Sequence, residues 1–147
     1  MSQNDVDKIV PNPRIAQLKA DTTAPDGSEI RFLIDHTSGI QGASMVEVSL
    51  QRGQITKPVR HRSVEEIWYI LEGKGQVWRC PPDRNPEEIH PCEVQKGEAL
   101  SIPTLWTFQF RASENHPLRF LCITIPAWPG NEEIINSDFG GLGIPNI

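Results

Sequence analysis

The sequence predicts an all-β barrel or sandwich, and three observations carry the prediction. Turn-forming residues punctuate the chain throughout, with 13 Pro and 11 Gly in 147 residues. The segments between them are short and rich in β-branched and aromatic residues. No window shows a convincing helical period of apolar residues. About ten short strands at close spacing suit a closed or double-sheet β architecture.

The expected strands follow in order. Residues 14–19 (RIAQLK), 29–35 (EIRFLID) and 44–50 (SMVEVSL) come first. In the third, Val46, Val48 and Leu50 share one face, with Glu47 and Ser49 opposite. Residues 55–61 (ITKPVRH), 66–71 (EIWYIL), 76–80 (QVWRC) and 88–94 (EIHPCEV) form the middle, with 81–88 (PPDRNPEE) as a long hairpin connection. Residues 98–103 (EALSIP), 108–112 (FQFRA) and 118–125 (LRFLCITI) complete the set. Residues 1–13 are polar with two prolines and read as a flexible arm. Residues 127–147 are rich in Gly and Pro and end in isolated hydrophobics. This tail wraps the barrel, wraps a partner subunit, or hangs as a loose terminus; the sequence leaves the three open.

The length favours one domain with a core of its own. The net charge is −5 and the pI about 5.3. No long basic run is present, so nucleic acid is not an expected partner. The polar start MSQNDVDKIV is no signal peptide, and no apolar run approaches a membrane span, so a cytoplasmic, membrane-free protein is expected. Cys80, Cys92 and Cys122 are an odd set without a secretory signal, which reads as reduced, packed thiols. There is no Gly-rich phosphate loop, Ser-based nucleophile elbow or CxxC.

Two glycine-framed blocks carry the chemistry. The first is Gly53-x5-Val59-x-His61-x4-Glu66-x6-Gly73, and the second Gly97-x5-Pro103-x-Leu105-x2-Phe108. Their spacing resembles the two motifs of the cupin superfamily, and EEIWYILEGKGQVWR, FQFR and LRFLCITIPAWPG resemble the flanks of a small single-domain member. The resemblance implies a double-stranded β-helix, a jelly-roll-like barrel, here spanning residues 14–130 with a tail at 131–147. It also implies a homodimer and a metal held by three histidines and one glutamate. Carried over position by position, the ligands fall on Val59, His61, Glu66 and Phe108, and a motif glycine falls on Leu105. Only His61 and Glu66 can ligate. A tight site needs three or four converging donors, so this pair would hold a divalent ion only weakly. Cys122, Gln54, Gln109 and His36 are conceivable replacements, none with a spacing that recommends it.

Strand parity extends the site. With His61 inward, Ile55, Lys57 and Val59 follow it; Glu66 shares a face with Trp68 and Ile70, and Phe108 with Trp106 and Phe110. The expected cavity is aromatic, with Lys57 near its rim and Val59, Trp68, Trp106, Phe108 and Phe110 against a small-molecule ligand. A one-residue slip would instead turn Arg60 and Arg62 inward and suit an anion. His90 and His116 read as surface residues, Trp78, Trp106 and Trp128 as core or dimer contacts, and Glu65 as solvated.

A histidine beside a carboxylate in an apolar setting is the arrangement of a general acid–base pair, and catalytic roles for His61 and Glu66 are expected on that ground. Isomerisation, epimerisation, elimination or cyclisation would use it, as metal-free sugar epimerases of the superfamily do. Two other classes stay open: a non-catalytic metabolite-binding or sensor barrel, and a metal-dependent oxygenase with an unusual ligand set. The plainest alternative is that His61 and Glu66 only satisfy each other.

Overall fold

The structure, a computed structural model, describes Ser2 and residues 9–147. Most of the expected arm, residues 1–13, lies outside the described residues. The strands are β1 (Thr22–Thr23), β2 (Glu29–Ile34), β3 (Ser44–Leu50), β4 (Val59–His61), β5 (Glu65–Cys80), β6 (Cys92–Gln95), β7 (Ala99–Ile102), β8 (Thr107–Ala112), β9 (Leu118–Ile125) and β10 (Ile134–Asn136). They form one curled sheet in the order β1-β2-β3-β9-β5-β8-β4-β10, with β6 and β7 also on β5.

Strand β5 organises the fold. Its first half pairs with β9 and β7, and its second half with β8 and β6. The register slips between Ile70 and Glu72, which is where the strand bends from one half of the barrel to the other. The two segments expected at 66–71 and 76–80 are therefore one strand, continuous through Gly73 and Gly75. A side chain at Gly73 would put its Cβ 1.7 Å from the Pro117 carbonyl oxygen, at a φ of 88°. Only glycine allows β9 to approach so closely there.

Alternation fills the core. On β9, Leu118, Phe120, Cys122 and Thr124 are buried in strict period two. They face Trp68 and Ile70 of β5 and Val48 and Leu50 of β3, with Phe108 and Phe110 of β8 across the barrel. Trp68 stacks on Phe120 with ring centroids 4.0 Å apart and meets Phe110 edge-on at 5.0 Å. On the outer face Arg119 bridges Glu47 at 2.5 Å and Glu72 at 3.1 Å.

Several expectations need correction. Residues 14–19 form no strand. They are pinned across β2 by side chains instead: Arg31 donates to the carbonyls of Gln17 and Leu18, and Arg14 pairs with Asp35. The segment 55–61 is strand only from Val59, because Pro58 lacks an N–H for the ladder. The segment 88–94 begins pairing only at Cys92, after a 3₁₀ turn at Pro86–Glu88 and Pro91. The three cysteines are free thiols, two of them buried.

The tail closes on its own barrel. Strand β10 pairs with β4, setting Ile134 against His61 and Asn136 against Val59. Asn146 exchanges hydrogen bonds with Ile55 and Gly53. Between them, Leu142 and Gly141 cover Trp78, and the buried Gln109 amide bonds Thr56, Leu142 and Gly143.

Glu133 ties the tail to the start of β5. Its carboxylate accepts from the Ser63 N–H, the Ser63 hydroxyl and the Val64 N–H. Burial works against its charge, yet these donors and the nearby His61 hold its pKa below the ordinary carboxylate range. A depressed folded pKa gives stability that is complete above the unfolded value and lost as pH falls through the folded one. Glu133→Gln is therefore expected to cost about 1–3 kcal/mol at neutral pH. The gap from the unaltered protein should shrink as pH drops below about 4. Urea unfolding at two pH values checks this.

Candidate functional site

The open end of the barrel holds a cavity of about 500 Å³. Its walls are largely apolar: Ile30 and Ile34 of β2, Val46 and Val48 of β3, Trp68 of β5, and Phe108, Phe110 and Phe120. Ala127, Trp128, Asn131 and Ile134 border it from the segment after β9. The polar groups on the wall include Asp26, Ser28, Ser44, His61, Glu66, Cys122 and Thr124, with Thr22, Thr23, Asp35 and His36 also bordering the cavity.

His61 and Glu66 meet here. His61 ends β4 and Glu66 lies one residue into β5, so the tight turn 62–64 brings the two strands' inward faces together. His61 Nε2 lies 3.0 Å from Glu66 Oε2, with His61 only 2% exposed. The other carboxylate oxygen, Oε1, accepts from Trp68 Nε1 at 2.9 Å. Because a carboxylate oxygen accepts, Nε2 carries a ring hydrogen, and in the neutral ring Nδ1 is then the bare nitrogen. Among the described residues, His61 Nδ1 is the buried side-chain nitrogen or oxygen without a hydrogen-bond partner. Two rings flank the imidazole, Phe108 at 5.4 Å and Trp128 edge-on at 5.5 Å. Phe108 is locked in the core, whereas Trp128 is half-buried and borders the mouth.

Asp26 was not singled out by the sequence. It sits in the turn between β1 and β2, where its Oδ1 accepts from Ser28 N–H at 2.9 Å and Ser28 Oγ at 2.7 Å. Burial pushes its carboxyl above the ordinary value and the Glu66 charge adds to that, against the Ser28 bonds and His61. Gly27 beside it, at φ 98°, packs directly under Ile147, so the tail holds this turn in place. Burial, then the charge and hydrogen bond of Glu66, push the Cys122 thiol well above its ordinary value. Cys122 is thus a protonated donor, neither a nucleophile nor a good metal ligand.

Of the other expected site residues, Trp68, Phe108 and Phe110 line the cavity. Val59 is fully buried, paired with Phe108 in the core behind it. Lys57 and Trp106 are placed elsewhere. Lys57 is exposed and borders a shallow groove against the tail at Phe139 and Ile144. Trp106 is half-buried and does not line the cavity. The reason is shared: parity was carried beyond strands that stop short. Strand β4 begins at Val59, and β8 begins at Thr107 after a turn in which Leu105 has a φ of 70°. Leu105 is the one described non-glycine residue with positive φ, and it stands where the resemblance puts a glycine. Arg60 and Arg62 stay outside, Arg62 donating to the Glu132 carbonyl. Trp128, read as a core or dimer contact, borders the cavity instead.

The donors do not fit a cupin metal. Among the described residues no group of three or more His, Cys, Asp or Glu side chains is placed to hold an ion. Val59 and Phe108 fill two of the four ligand positions with carbon. Gln54 and Gln109 spend their side chains on backbone groups, and His36 lies exposed at the rim. No helix among the described residues is long and apolar enough to cross a membrane.

The fold has close counterparts. Oxalate decarboxylase from Bacillus subtilis superposes with a TM-score of 0.69 at 16% identity, over 86% of this chain and 32% of that one. This chain thus spans about a third of the decarboxylase. The polyketide cyclase RemF from Streptomyces resistomycificus superposes with a TM-score of 0.61 at 24% identity, over 86% of this chain and 81% of RemF. In sequence, the uncharacterized protein MJ1618 of Methanocaldococcus jannaschii is 33% identical over 105 residues, 70% of this chain and 77% of that protein. The cupin family model matches residues 18–142, which takes in both glycine-framed blocks, the barrel and most of the tail. With the strand order and the His61–Glu66 geometry already in place, that match settles membership: the chain belongs to the cupin family.

Proposed function

We propose that this cupin binds a small molecule in the barrel cavity and moves a proton on it, with His61 as the acid–base group and Glu66 as its positioning partner. One observation carries the reading. His61 is anchored through Nε2 while its Nδ1, buried beside a ligand-sized cavity, bonds nothing in the protein. A buried polar atom without a partner is costly, and a group kept in that state at a cavity wall is a candidate for function. Glu66 fixes the tautomer and stabilises the imidazolium formed when Nδ1 takes a proton. Trp68 holds Glu66 in turn through its indole N–H. The proton returns to a different atom of the substrate in an isomerisation or cyclisation, or leaves with a group in an elimination. A ligand reaching Nδ1 displaces Trp128, the half-buried ring that borders the mouth. The likeness to a protein described as a polyketide cyclase supports cyclisation within this class.

The test is a probe reaction that needs only a base and an apolar pocket. In 5-nitrobenzisoxazole, a base removes the carbon-bound hydrogen beside nitrogen, a nitrile forms, and the N–O bond breaks with its electron pair left on oxygen as a coloured cyanonitrophenolate. The protein is expected to accelerate this ring opening with saturation kinetics. A rate no higher than that of free imidazole at the same concentration would remove the catalytic reading and leave a binding or sensor barrel.

A further inference from the structure

The cavity wall carries no lysine or arginine, and this decides what it can hold. Trp68 N–H is spent on Glu66 and the Ser28 N–H and hydroxyl on Asp26, while the Ser44 and Thr124 hydroxyls share one hydrogen bond and leave one O–H hydrogen over. None of the lining residues is Lys or Arg. An anion would therefore be buried without the counter-charge it needs. A cation fares no better. Both Glu66 oxygens are occupied, Asp35 at the rim is paired with Arg14, and burial favours the uncharged form of Asp26. The buried acceptor left unspent among the described residues is His61 Nδ1, while an uncharged Asp26, whose Oδ1 accepts twice from Ser28, carries its proton on Oδ2. Around these are aromatic faces from Trp68, Phe108, Phe110 and Trp128.

Taking the cavity as the ligand site, as the preceding reading does, we propose that its ligand is an uncharged, flat, largely apolar molecule carrying a hydroxyl or N–H donor. Ligands recognised by a carboxylate, a phosphate or an ammonium group are rejected. The donor meets His61, and the ring system fills the aromatic walls. Asp26 contributes as a neutral polar group, not as a counter-ion.

Binding tests this independently of turnover. The probes are 2-naphthol, 2-naphthoate and 2-naphthylmethylamine at pH 7, which share a ring system and differ in charge, titrated by calorimetry. The unaltered protein is expected to bind 2-naphthol at least about tenfold more tightly than either charged probe. Asp26→Asn keeps an uncharged polar group of the same size and should hold naphthol affinity within about threefold. Equal or tighter binding of the acid or the amine overturns the proposal. So does an Asp26→Asn loss well beyond threefold in a variant with an unchanged circular dichroism spectrum. If naphthol is preferred but nitrobenzisoxazole is not opened, the ligand class stands and catalysis falls. The reverse result removes the ligand class alone.

Discussion

His61→Ala is expected to lower the ring-opening rate of 5-nitrobenzisoxazole by at least about 100-fold, within the range a positioned general base supplies. The loss should fall on kcat, since the aromatic walls that hold the probe are untouched. Alanine also leaves the Glu66 carboxylate one donor short, so the variant is expected to be less stable. His61→Gln separates the two effects. Its amide fills much of the space and can donate to Glu66, yet it has no basic nitrogen, so it should lose the rate while keeping more of the stability. Glu66→Gln is expected to cost less than His61→Ala, because it releases the tautomer and removes the counter-charge without removing the base. A His61→Gln variant that retains half the rate would assign the base elsewhere.

The second large effect is a gain. Val59 pairs directly with Phe108, and the Phe108 ring lies 5.4 Å from the His61 imidazole, so the positions that a cupin metal set would occupy converge. The double variant Val59→His, Phe108→His is therefore expected to bind one zinc per chain, at least about 100-fold more tightly than the unaltered protein. Fitting an imidazole at Val59 costs on the order of 1–3 kcal/mol through overpacking. The added zinc should raise the melting temperature of the variant, because it binds only the folded form. Titration calorimetry and elemental analysis read both proteins. A folded double variant that takes up no zinc would show that the geometry, and not only the ligand chemistry, has left the metal site behind.

The strands that pack on a shared core were plain from alternation. SMVEVSL and LRFLCITI are strands over the same residues the sequence suggested, because one face of each must be apolar. The His61–Glu66 meeting was also legible, since a short turn between two inward positions leaves little choice. Features that depend on distant chain were hidden. Nothing in PDGS says that Asp26 is buried; its burial comes from the barrel wall and from Ile147 packed on Gly27. Nothing in IINS says strand, because β10 exists only through pairing with β4. Lys57 and Trp106 were misplaced for a local reason. Period-two counting holds only while the strand lasts, and Pro58 and the turn at Leu105 end it.

The most direct measurement of the central claim is the protonation state of His61, read from long-range ¹⁵N–¹H NMR correlations of the imidazole ring. The His61–Glu66 arrangement predicts that the neutral ring carries its proton on Nε2 with Nδ1 bare, and that the Nδ1 resonance moves when 2-naphthol is added. A proton on Nδ1 with Nε2 bare, or an Nδ1 signal indifferent to a bound cavity ligand, would contradict it.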